Sequence, residues 1–394
     1  MARTVVALAN LTGVRVSADS LRKLRKRRSA KWRGFSKDVL PLPVAEMDFP
    51  IAKQIKDVLI DMVERSDVGY GGLIPELPEA FEKFAKRKWN WQIDRSQFRL
   101  ATDVGVAGVE VIRVFTNPGD KVVINSPVYH NFYNWIKEAK CELVDVPLKY
   151  EHGDYTLDTE GLARAFANGA KVFLMCHPHN PVGHVFSRVE LQEIAKLAKQ
   201  YGVVVISDEI HAPLTFKDMN FIPYLALNDE ARETGICITS ASKAWNLAGL
   251  KCAQIITQDE ELNKKLNELP VSTPWRASIL GAWASYVAYK DGEKWLNAVM
   301  RNIDRNRKYL AKLLKRHLAK AKYDVPKSTY LAWVDLSDYG YEDATAVLLE
   351  KGKVAFNNGK DFGPSGNNFV RINLATSKKI LRQAIKRAAK ALEN

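Results

Sequence analysis

The chain has 394 residues, of which 46% are apolar and 26% charged, and its formal net charge is +14. This profile is typical of a globular protein with one large domain and a smaller one, and it excludes disordered and fibrous classes. No apolar run approaches the roughly 20 residues that cross a bilayer, so we expect no membrane partner. No small-residue cleavage site follows the short apolar run at 5–11, which argues against a signal peptide.

The cysteines indicate a reducing compartment. Cys141, Cys176, Cys237 and Cys252 show no paired spacing, and three of them fall in apolar, strand-like runs. Buried free thiols of this kind are typical of cytosolic proteins. The sequence therefore predicts a cytoplasmic location.

A dense basic segment at 22–28 has two interpretations. It is either a contact for nucleic acid or the solvated face of a short helix that Leu21 and Leu24 anchor at positions i and i+3. The positive net charge agrees with a nucleic-acid contact, but it also agrees with a soluble protein that binds small anionic ligands. No helix-turn-helix, zinc-finger or aromatic-basic RNA signature accompanies the segment. We therefore favour the helix and do not expect a nucleic-acid partner.

Three regions follow in chain order. Residues 1–45 are predicted to form an arm with one helix that joins the small domain, 46–285 the large domain, and 286–394 the small domain. In the large domain, strand-like runs alternate with helical ones, which is typical of an α/β sheet with crossover helices. The candidate strands are 98–102, 121–125, 142–146, 171–176, 203–207, 236–239 and 252–256.

Helix signals support this division. Ser187 and Glu190 form a capping box, and Gly202 ends the apolar periodicity that follows them. In the last region the helical and strand-like patterns are those at 293–320, 330–336, 369–373 and 377–392. Their order predicts a second, α+β domain.

Polar residues follow two of the candidate strands, where open α/β sheets bind ligands. The run 203–207 ends at Asp208, whose carboxylate can pair with a buried cation or cap a surface turn. The run 171–176 leads to Asn180, in a turn that Pro and Gly residues make rigid. The Asn180 amide can donate to a ligand, or satisfy only its own backbone in an Asx-turn.

Two histidines in the same turn raise the question of a metal. His177 and His179 are close in sequence, but no third ligand lies at a useful spacing. We therefore expect no metal site.

A phosphate site is predicted after the run 98–102, where a Gly-containing turn begins a helix. Free N–H groups at a helix N-terminus, here those of Val104, Gly105 and Val106, bind anions readily. Hydroxyls and a point charge can complete such a site. The residues available for this are Ser240, Ser242 and Lys251.

An aromatic ring and an arginine extend the candidate site. Tyr129 follows the run 121–125, and its ring can stack on a planar ligand or simply pack in the core. Arg371 lies inside the apolar run 369–373. A buried Arg requires an anionic partner, which is either a substrate carboxylate or an internal salt bridge.

Lys243 is the residue around which these features are organised. It lies between two apolar runs, and we expect it in a loop between two buried strands. Desolvation there lowers the pKa of an amine towards the range in which it acts as nucleophile and base. A solvated loop lysine is the alternative. Each feature has two interpretations by itself. The order in which all of them follow one another along the chain, however, would rarely arise by chance.

This ordered set resembles the class I/II aminotransferase superfamily of fold-type I pyridoxal phosphate (PLP) enzymes, and within it the cystathionine β-lyase-like (MalY/PatB) branch of carbon–sulfur lyases. The stretches that carry the resemblance are 38–49, 178–183, 207–211 and 240–250. The resemblance implies an α/β fold, with a mostly parallel seven-stranded sheet in a large PLP-binding domain and a smaller α+β domain. The chain departs from the branch at 102–106, and it carries Lys251 where many fold-type I enzymes have Arg.

The resemblance also implies residue roles. Lys243 binds PLP as a Schiff base and shuttles the substrate's α-proton, Asp208 pairs with the ring nitrogen, and Tyr129 stacks on the ring. Asn180 contacts the phenolate oxygen and the substrate, whose carboxylate Arg371 binds. The remaining cofactor-binding residues are Val104, Gly105, Val106, Ser240, Ser242 and Lys251 at the phosphate, and His211.

The resemblance further implies a homodimer with a shared active site. Tyr70 matches a tyrosine that reaches the phosphate of the neighbouring subunit. A locally packed turn aromatic is the alternative for Tyr70.

The implied activity is a PLP-dependent carbon–sulfur β-lyase, which converts a small amino acid to pyruvate, ammonia and a thiol. A PLP-dependent aminotransferase uses the same residues, so only the branch resemblance favours elimination. A third interpretation is an inactive regulatory protein that binds nucleic acid through 22–28. The intact cofactor residues argue against it.

Overall fold

The computed structural model describes residues 14–72, 74–151 and 153–393. The apolar run at 5–11, on which the signal-peptide prediction depends, lies outside the described residues. Across the described ranges, every helix is too short or too polar to cross a lipid bilayer.

The strands are β1 (Leu40–Pro41), β2 (Phe98–Ala101), β3 (Lys121–Ile124), β4 (Glu142–Asp145), β5 (Lys149–Glu151), β6 (Asp154–Thr156), β7 (Ala170–Cys176), β8 (Val204–Asp208), β9 (Gly235–Thr239), β10 (Ala253–Ile256), β11 (Lys322–Tyr323), β12 (Leu331–Asp335), β13 (Val354–Ala355), β14 (Asn357–Asn358) and β15 (Phe369–Asn373).

The α-helices are α1 (Leu21–Leu24), α2 (Ala30–Arg33), α3 (Lys53–Glu64), α4 (Glu76–Trp89), α5 (Val104–Phe115), α6 (Asn131–Glu138), α7 (Thr159–Ala167), α8 (Arg188–Tyr201), α9 (Asp229–Thr234), α10 (Ala241–Ala244), α11 (Glu260–Lys265), α12 (Ser272–Trp275), α13 (Ile279–Asp291), α14 (Glu293–His317), α15 (Ala344–Glu350) and α16 (Lys378–Leu392).

The central feature is a seven-stranded sheet with the order β2-β10-β9-β8-β7-β3-β4. Strand β10 runs antiparallel to both of its neighbours, and the other neighbouring pairs are parallel. All seven candidate strands contribute to this sheet, so the predicted fold is confirmed. Because β10 is reversed, its first residues lie at the same edge as the carboxyl ends of the other strands.

Both faces of the sheet are covered, because side chains alternate along each strand. Val122 and Ile124 of β3 belong to the cluster that contains the apolar residues of α5 and α6. Val123, between them, packs in the larger cluster with residues of α8. The near-continuous apolar runs of the sequence are therefore explained by burial on two sides.

The predicted helix signals are present in α8. Ser187 and Glu190 form a reciprocal capping box, and Gly202 ends the helix in a left-handed conformation (φ 66°). The long helix predicted from Glu293 corresponds to α14, and the last helix to α16, which Ser377 caps.

The N-terminal arm contains two helical turns where one helix was predicted. Ser29 adopts an extended conformation and begins α2, which separates it from α1. Leu24 is fully buried, as the short-helix interpretation of the basic segment requires. Two of the arginines are bound internally, since Arg25 donates to Val39 O and Arg27 to Met47 O.

The arm packs against the last region of the chain. Strand β1 pairs in parallel with β13, and Asp48 N–H donates to Ala375 O. That region forms a second, four-stranded sheet in the order β11-β12-β15-β14. This arrangement agrees with an arm that joins the small domain, while the boundaries near 45 and 285 stay predictions.

A buried ion pair fixes the arm. Lys31 and Asp48 are 0% and 1% exposed, and Lys31 Nζ lies 2.8 Å from Asp48 Oδ1. The same oxygen accepts a hydrogen bond from Trp32 Nε1 at 3.1 Å. Removal of one partner from such a pair leaves a buried charge without compensation.

We predict that Asp48→Ala lowers the free energy of unfolding by about 3–5 kcal/mol, the usual cost of breaking a buried ion pair. The matched control is Asp57→Ala, which removes an exposed pair with Lys53 and changes stability by at most about 1 kcal/mol. Urea unfolding followed by tryptophan fluorescence measures both. Equal losses in the two variants would contradict the role given to the buried pair.

Candidate active site

A cavity of about 560 Å³ lies at the carboxyl edge of the seven-stranded sheet, beneath residues of β15 and the N-terminal arm. This volume lies within the usual range for small-molecule sites. The predicted residues that line it are Val104, Gly105, Tyr129, Asn180, Asp208, His211, Ser240, Ser242, Lys243, Lys251 and Arg371. The structure therefore brings together most of the predicted site.

Lys243 lies between β9 and β10, as predicted, but on the helical turn α10 instead of a loop. The turn forms because the Ser240 side chain caps it by accepting from Ser242 N–H. The Lys243 Nζ donates to Ala45 O at 3.3 Å. Burial, and next the positive charge of Arg371, lower the pKa of the Lys243 amine to about 8. A sizeable fraction of the amine is therefore neutral near physiological pH and able to act as a nucleophile or base.

Asp208 is the last residue of β8 and is 3% exposed. Its Oδ1 accepts the Ile210 N–H at 3.1 Å, and within the described chain it forms no ion pair. Burial raises the pKa of Asp208 to about 7, while the Ile210 hydrogen bond and Lys243 oppose this rise. A cation beside Asp208 would stabilise its charged form.

Arg371 lies on β15 and is 3% exposed, so the guanidinium is buried as predicted. Its acceptors are neutral oxygens: Asn180 Oδ1 at 3.1 Å, Pro43 O at 3.1 Å and Asn357 Oδ1 at 2.7 Å. Its Nε is buried without a partner, and burial lowers the pKa of Arg371 to about 10. No carboxylate of the described residues pairs with it, which argues against an internal salt bridge and favours an anionic ligand.

Asn180 and Tyr129 lie on either side of this cavity. The Asn180 Oδ1 accepts from Arg371, so its Nδ2 is the group left to donate to a ligand. The Tyr129 hydroxyl accepts from Asn131 Nδ2 at 2.7 Å, and its ring contacts His130 and Trp135. The ring is thus held in place by its aromatic neighbours at the cavity wall.

The predicted phosphate turn is only partly available to a ligand. Val104 and Gly105 line the cavity. The Val106 N–H, in contrast, donates to Asp103 Oδ1 at 2.9 Å, because Asp103 caps α5. Lys251 Nζ lies 2.6 Å from Asp103 Oδ2. Asp103 also accepts from the Gly105 N–H. An anion that binds here thus competes with Asp103 for both amides and for the lysine.

Ser240 mainly has a structural role. Its Oγ donates to Cys252 O at 2.6 Å and so joins the ends of β9 and β10. It is 2% exposed, whereas Ser242 is partly exposed in the cavity. Ser242 is therefore the more accessible hydroxyl for an anion.

Tyr70 lies away from the cavity of its own chain. Its side chain is 93% exposed, which excludes the locally packed alternative. The position is compatible with a residue that serves a neighbouring subunit.

The histidine pair His177 and His179 does not form a metal site. His177 Nε2 lies 3.0 Å from Ile222 O, and His179 Nε2 lies 2.8 Å from Pro127 O. Burial lowers the pKa of His177 to about 3 and that of His179 to about 4. Within the described ranges no group of His, Cys, Asp and Glu could hold a metal ion.

Sequence reasoning missed four residues at this site. Ala45 O accepts from Tyr330 Oη at 2.9 Å as well as from Lys243. Asn357 pairs in register with Arg371, and His130 lines the cavity beside Tyr129. Only two of them could have been found from the sequence. Ala45 lies in the stretch 38–49 that carries the family resemblance, and His130 follows the predicted Tyr129. The other two become visible only when the small sheet is assembled.

The residues present fit a planar, anionic cofactor such as PLP. A helix N-terminus with Lys251 suits a phosphate, and the unpaired carboxylate of Asp208 suits a ring cation. Three buried nitrogens at the cavity lack partners, namely Arg371 Nε, His211 Nδ1 and His130 Nδ1. Burial lowers the pKa of His211 to about 3, so this side chain is a neutral hydrogen-bonding group.

Comparisons with known proteins agree with this geometry. The family model "Aminotransferase class I and II" matches residues 37–388. Cystathionine beta-lyase of Corynebacterium glutamicum is 35% identical, over 94% of this chain and 99% of its own. Cystathionine beta-lyase PatB of Bacillus subtilis is 30% identical, over 90% of this chain and 93% of its own.

A solved structure extends the agreement to three dimensions. Cystalysin from Treponema denticola, which contains a pyridoxal 5'-phosphate cofactor, matches with a TM-score of 0.89 at 28% identity. The match covers 94% of this chain and 97% of that chain. The chain therefore belongs to the class I and II aminotransferase family, and within it to the cystathionine β-lyase branch of carbon–sulfur lyases.

Proposed function

We propose that this chain is a PLP-dependent carbon–sulfur β-lyase that cleaves S-substituted cysteines such as cystathionine to pyruvate, ammonia and a thiol. The observation that carries the proposal is the cavity itself. It holds a lysine with a lowered pKa, a buried carboxylate and a buried guanidinium without a carboxylate partner. The relatives named cystathionine β-lyase supply the choice of reaction.

The cofactor would be held by residues that line the cavity. Lys243 would bind its aldehyde, Asp208 would pair with its ring nitrogen, and Tyr129 would stack on its ring. Asn180 and His211 would contact it on the side of its phenolate oxygen. Its phosphate would be bound by Val104, Gly105, Ser242 and Lys251, while Ser240 and Val106 would contribute through the shape of the turns. When bound, PLP supplies a ring that accepts negative charge from the substrate's Cα.

The chain's own residues direct the reaction. Arg371 binds the substrate carboxylate with two N–H groups and fixes the orientation of Cα, which lowers the entropic part of the barrier. The neutral Lys243 amine accepts the proton from Cα as general base. The C–S bond then breaks with its electron pair on sulfur, and water releases the three-carbon remainder as pyruvate and ammonia.

A homodimer with shared active sites is part of the proposal. Tyr70 is 93% exposed. The next residue, Gly71, lines a cavity together with Val271 and Trp275, which are 82% and 60% exposed. Exposed apolar groups of this kind are typical of interfaces. Tyr70 of one subunit would reach the phosphate bound by the other. The three buried free cysteines fit a cytoplasmic location.

We predict that Lys243→Ala lowers kcat/KM for cystathionine by at least about 1,000-fold, because general base catalysis alone contributes about 100- to 10,000-fold. Pyruvate release, measured with a coupled lactate dehydrogenase assay, checks this. Lys140→Ala, which changes a lysine on the surface, is the control and keeps wild-type activity. Unchanged turnover in Lys243→Ala contradicts the assignment.

The reaction type is tested without a keto acid. We predict that the wild-type protein, incubated with cystathionine and PLP, releases pyruvate over many turnovers. An aminotransferase instead stops after one turnover and resumes when 2-oxoglutarate is added. That second result would contradict the lyase proposal while leaving the cofactor site intact.

The pKa of Lys243 predicts a pH dependence for cofactor capture by protein stripped of PLP. Only the neutral amine attacks the aldehyde, and burial lowers the pKa of this amine to about 8. The rate constant should therefore rise roughly tenfold per pH unit below about pH 8 and level off above it. A rate that keeps rising to pH 10 indicates an ordinary solvated lysine. Stopped-flow absorbance measures the capture, with Lys243→Ala as the blank.

A further inference from the structure

His130 is a cavity residue to which neither the fold nor the cofactor gives a role. It lines the same cavity as Lys243 and Arg371 and immediately precedes α6. Its Nδ1 is buried and has no hydrogen-bond partner. A buried polar atom without a partner is uncommon and needs an explanation.

The imidazole ring of His130 is fixed by its aromatic neighbours. Its centroid lies 4.9 Å from the ring of Tyr129 and 5.8 Å from that of Phe362, both in edge contacts. A ring packed in this way loses little further freedom when it binds a ligand.

Burial and two nearby positive charges favour the neutral form of His130. Burial, and next Arg371, lower the pKa of His130, Lys243 also lowers it, and Asp361 opposes them. A neutral imidazole carries one N–H donor and one acceptor nitrogen. His130 therefore offers a hydrogen bond near neutral pH without holding a full charge.

Two other neutral side chains of this cavity each have one polar group in a hydrogen bond. Asn131 Nδ2 donates to the Tyr129 hydroxyl, and Asn357 Oδ1 accepts from Arg371. In the proposed reaction Arg371 binds the carboxylate and Lys243 takes the α-proton, so the sulfur on Cβ still needs a donor. His130 is a side chain of this wall with an unpartnered nitrogen.

We propose that His130 donates its ring N–H to the departing sulfur of the substrate and is a further catalytic residue of C–S cleavage. The C–S bond breaks with its electron pair on sulfur, and the thiolate is stabilised by this hydrogen bond until water protonates it. The inference rests on the proposed lyase function and adds the group that recognises the leaving thiol.

The test compares two leaving groups in three proteins. His130→Phe removes the N–H but keeps a ring for Tyr129 and Phe362, and His130→Asn keeps an N–H donor near the position of Nδ1. Cystathionine releases a thiolate, whereas β-chloroalanine releases chloride, which needs little help from a donor. Pyruvate formation gives kcat/KM for each combination.

We expect His130→Phe to lower kcat/KM for cystathionine roughly 10- to 100-fold, the usual effect of a lost hydrogen bond to a charged group. The value for β-chloroalanine should stay within about twofold, and His130→Asn should recover most of the cystathionine activity. Equal losses with both substrates, or no loss with either, overturn the role of His130. Wild-type protein that releases pyruvate from neither substrate overturns the lyase function itself, and the role of His130 with it.

Discussion

An amine, a carboxylate and a guanidinium share one cavity without pairing with one another, and the rest of the structure keeps them apart. Burial lowers the pKa of Lys243 to about 8 and raises that of Asp208 to about 7. Arg371 is left with neutral acceptors. Perturbed groups of this kind cluster at functional sites, because ligands complete the missing interactions. A ring cation beside Asp208 and a carboxylate beside Arg371 would complete these interactions.

The N-terminal arm maintains this arrangement from outside the sheet. Pro43 O accepts from Arg371 and Ala45 O from Lys243. Asn373 Nδ2 donates to the carbonyls on either side of Ala45, at 2.7 Å each. The Lys31–Asp48 pair then anchors the segment that follows. A short stretch of backbone thus connects β15, Lys243 and the arm.

Most of the fold could be predicted from the sequence, because the patterns that indicate strands and helices are local. Apolar runs of four to six residues mark the strands of the large sheet. The Ser187–Glu190 box with Gly202 marks one helix at both ends. The order of polar residues after those strands placed Asp208, Asn180 and Lys243 at one edge.

The features that were missed depend on contacts between distant segments or on competition for one donor. Asn357 reaches the site only because β14 pairs with β15, and Tyr330 only because the arm folds beneath it. The Val106 amide was assigned to a phosphate, but the Asp103 side chain, three residues earlier, accepts it first. The α10 turn depends on the Ser240 cap, and the break between α1 and α2 depends on the extended conformation of Ser29. A short polar segment predicts both features poorly.

The covalent site of the cofactor is the most direct test of this account. Purified protein loaded with PLP is reduced with borohydride, digested, and mapped by mass spectrometry. The account predicts one phosphopyridoxyl group per chain, on the peptide that carries Lys243. A label on another lysine, or no label at all, would contradict it.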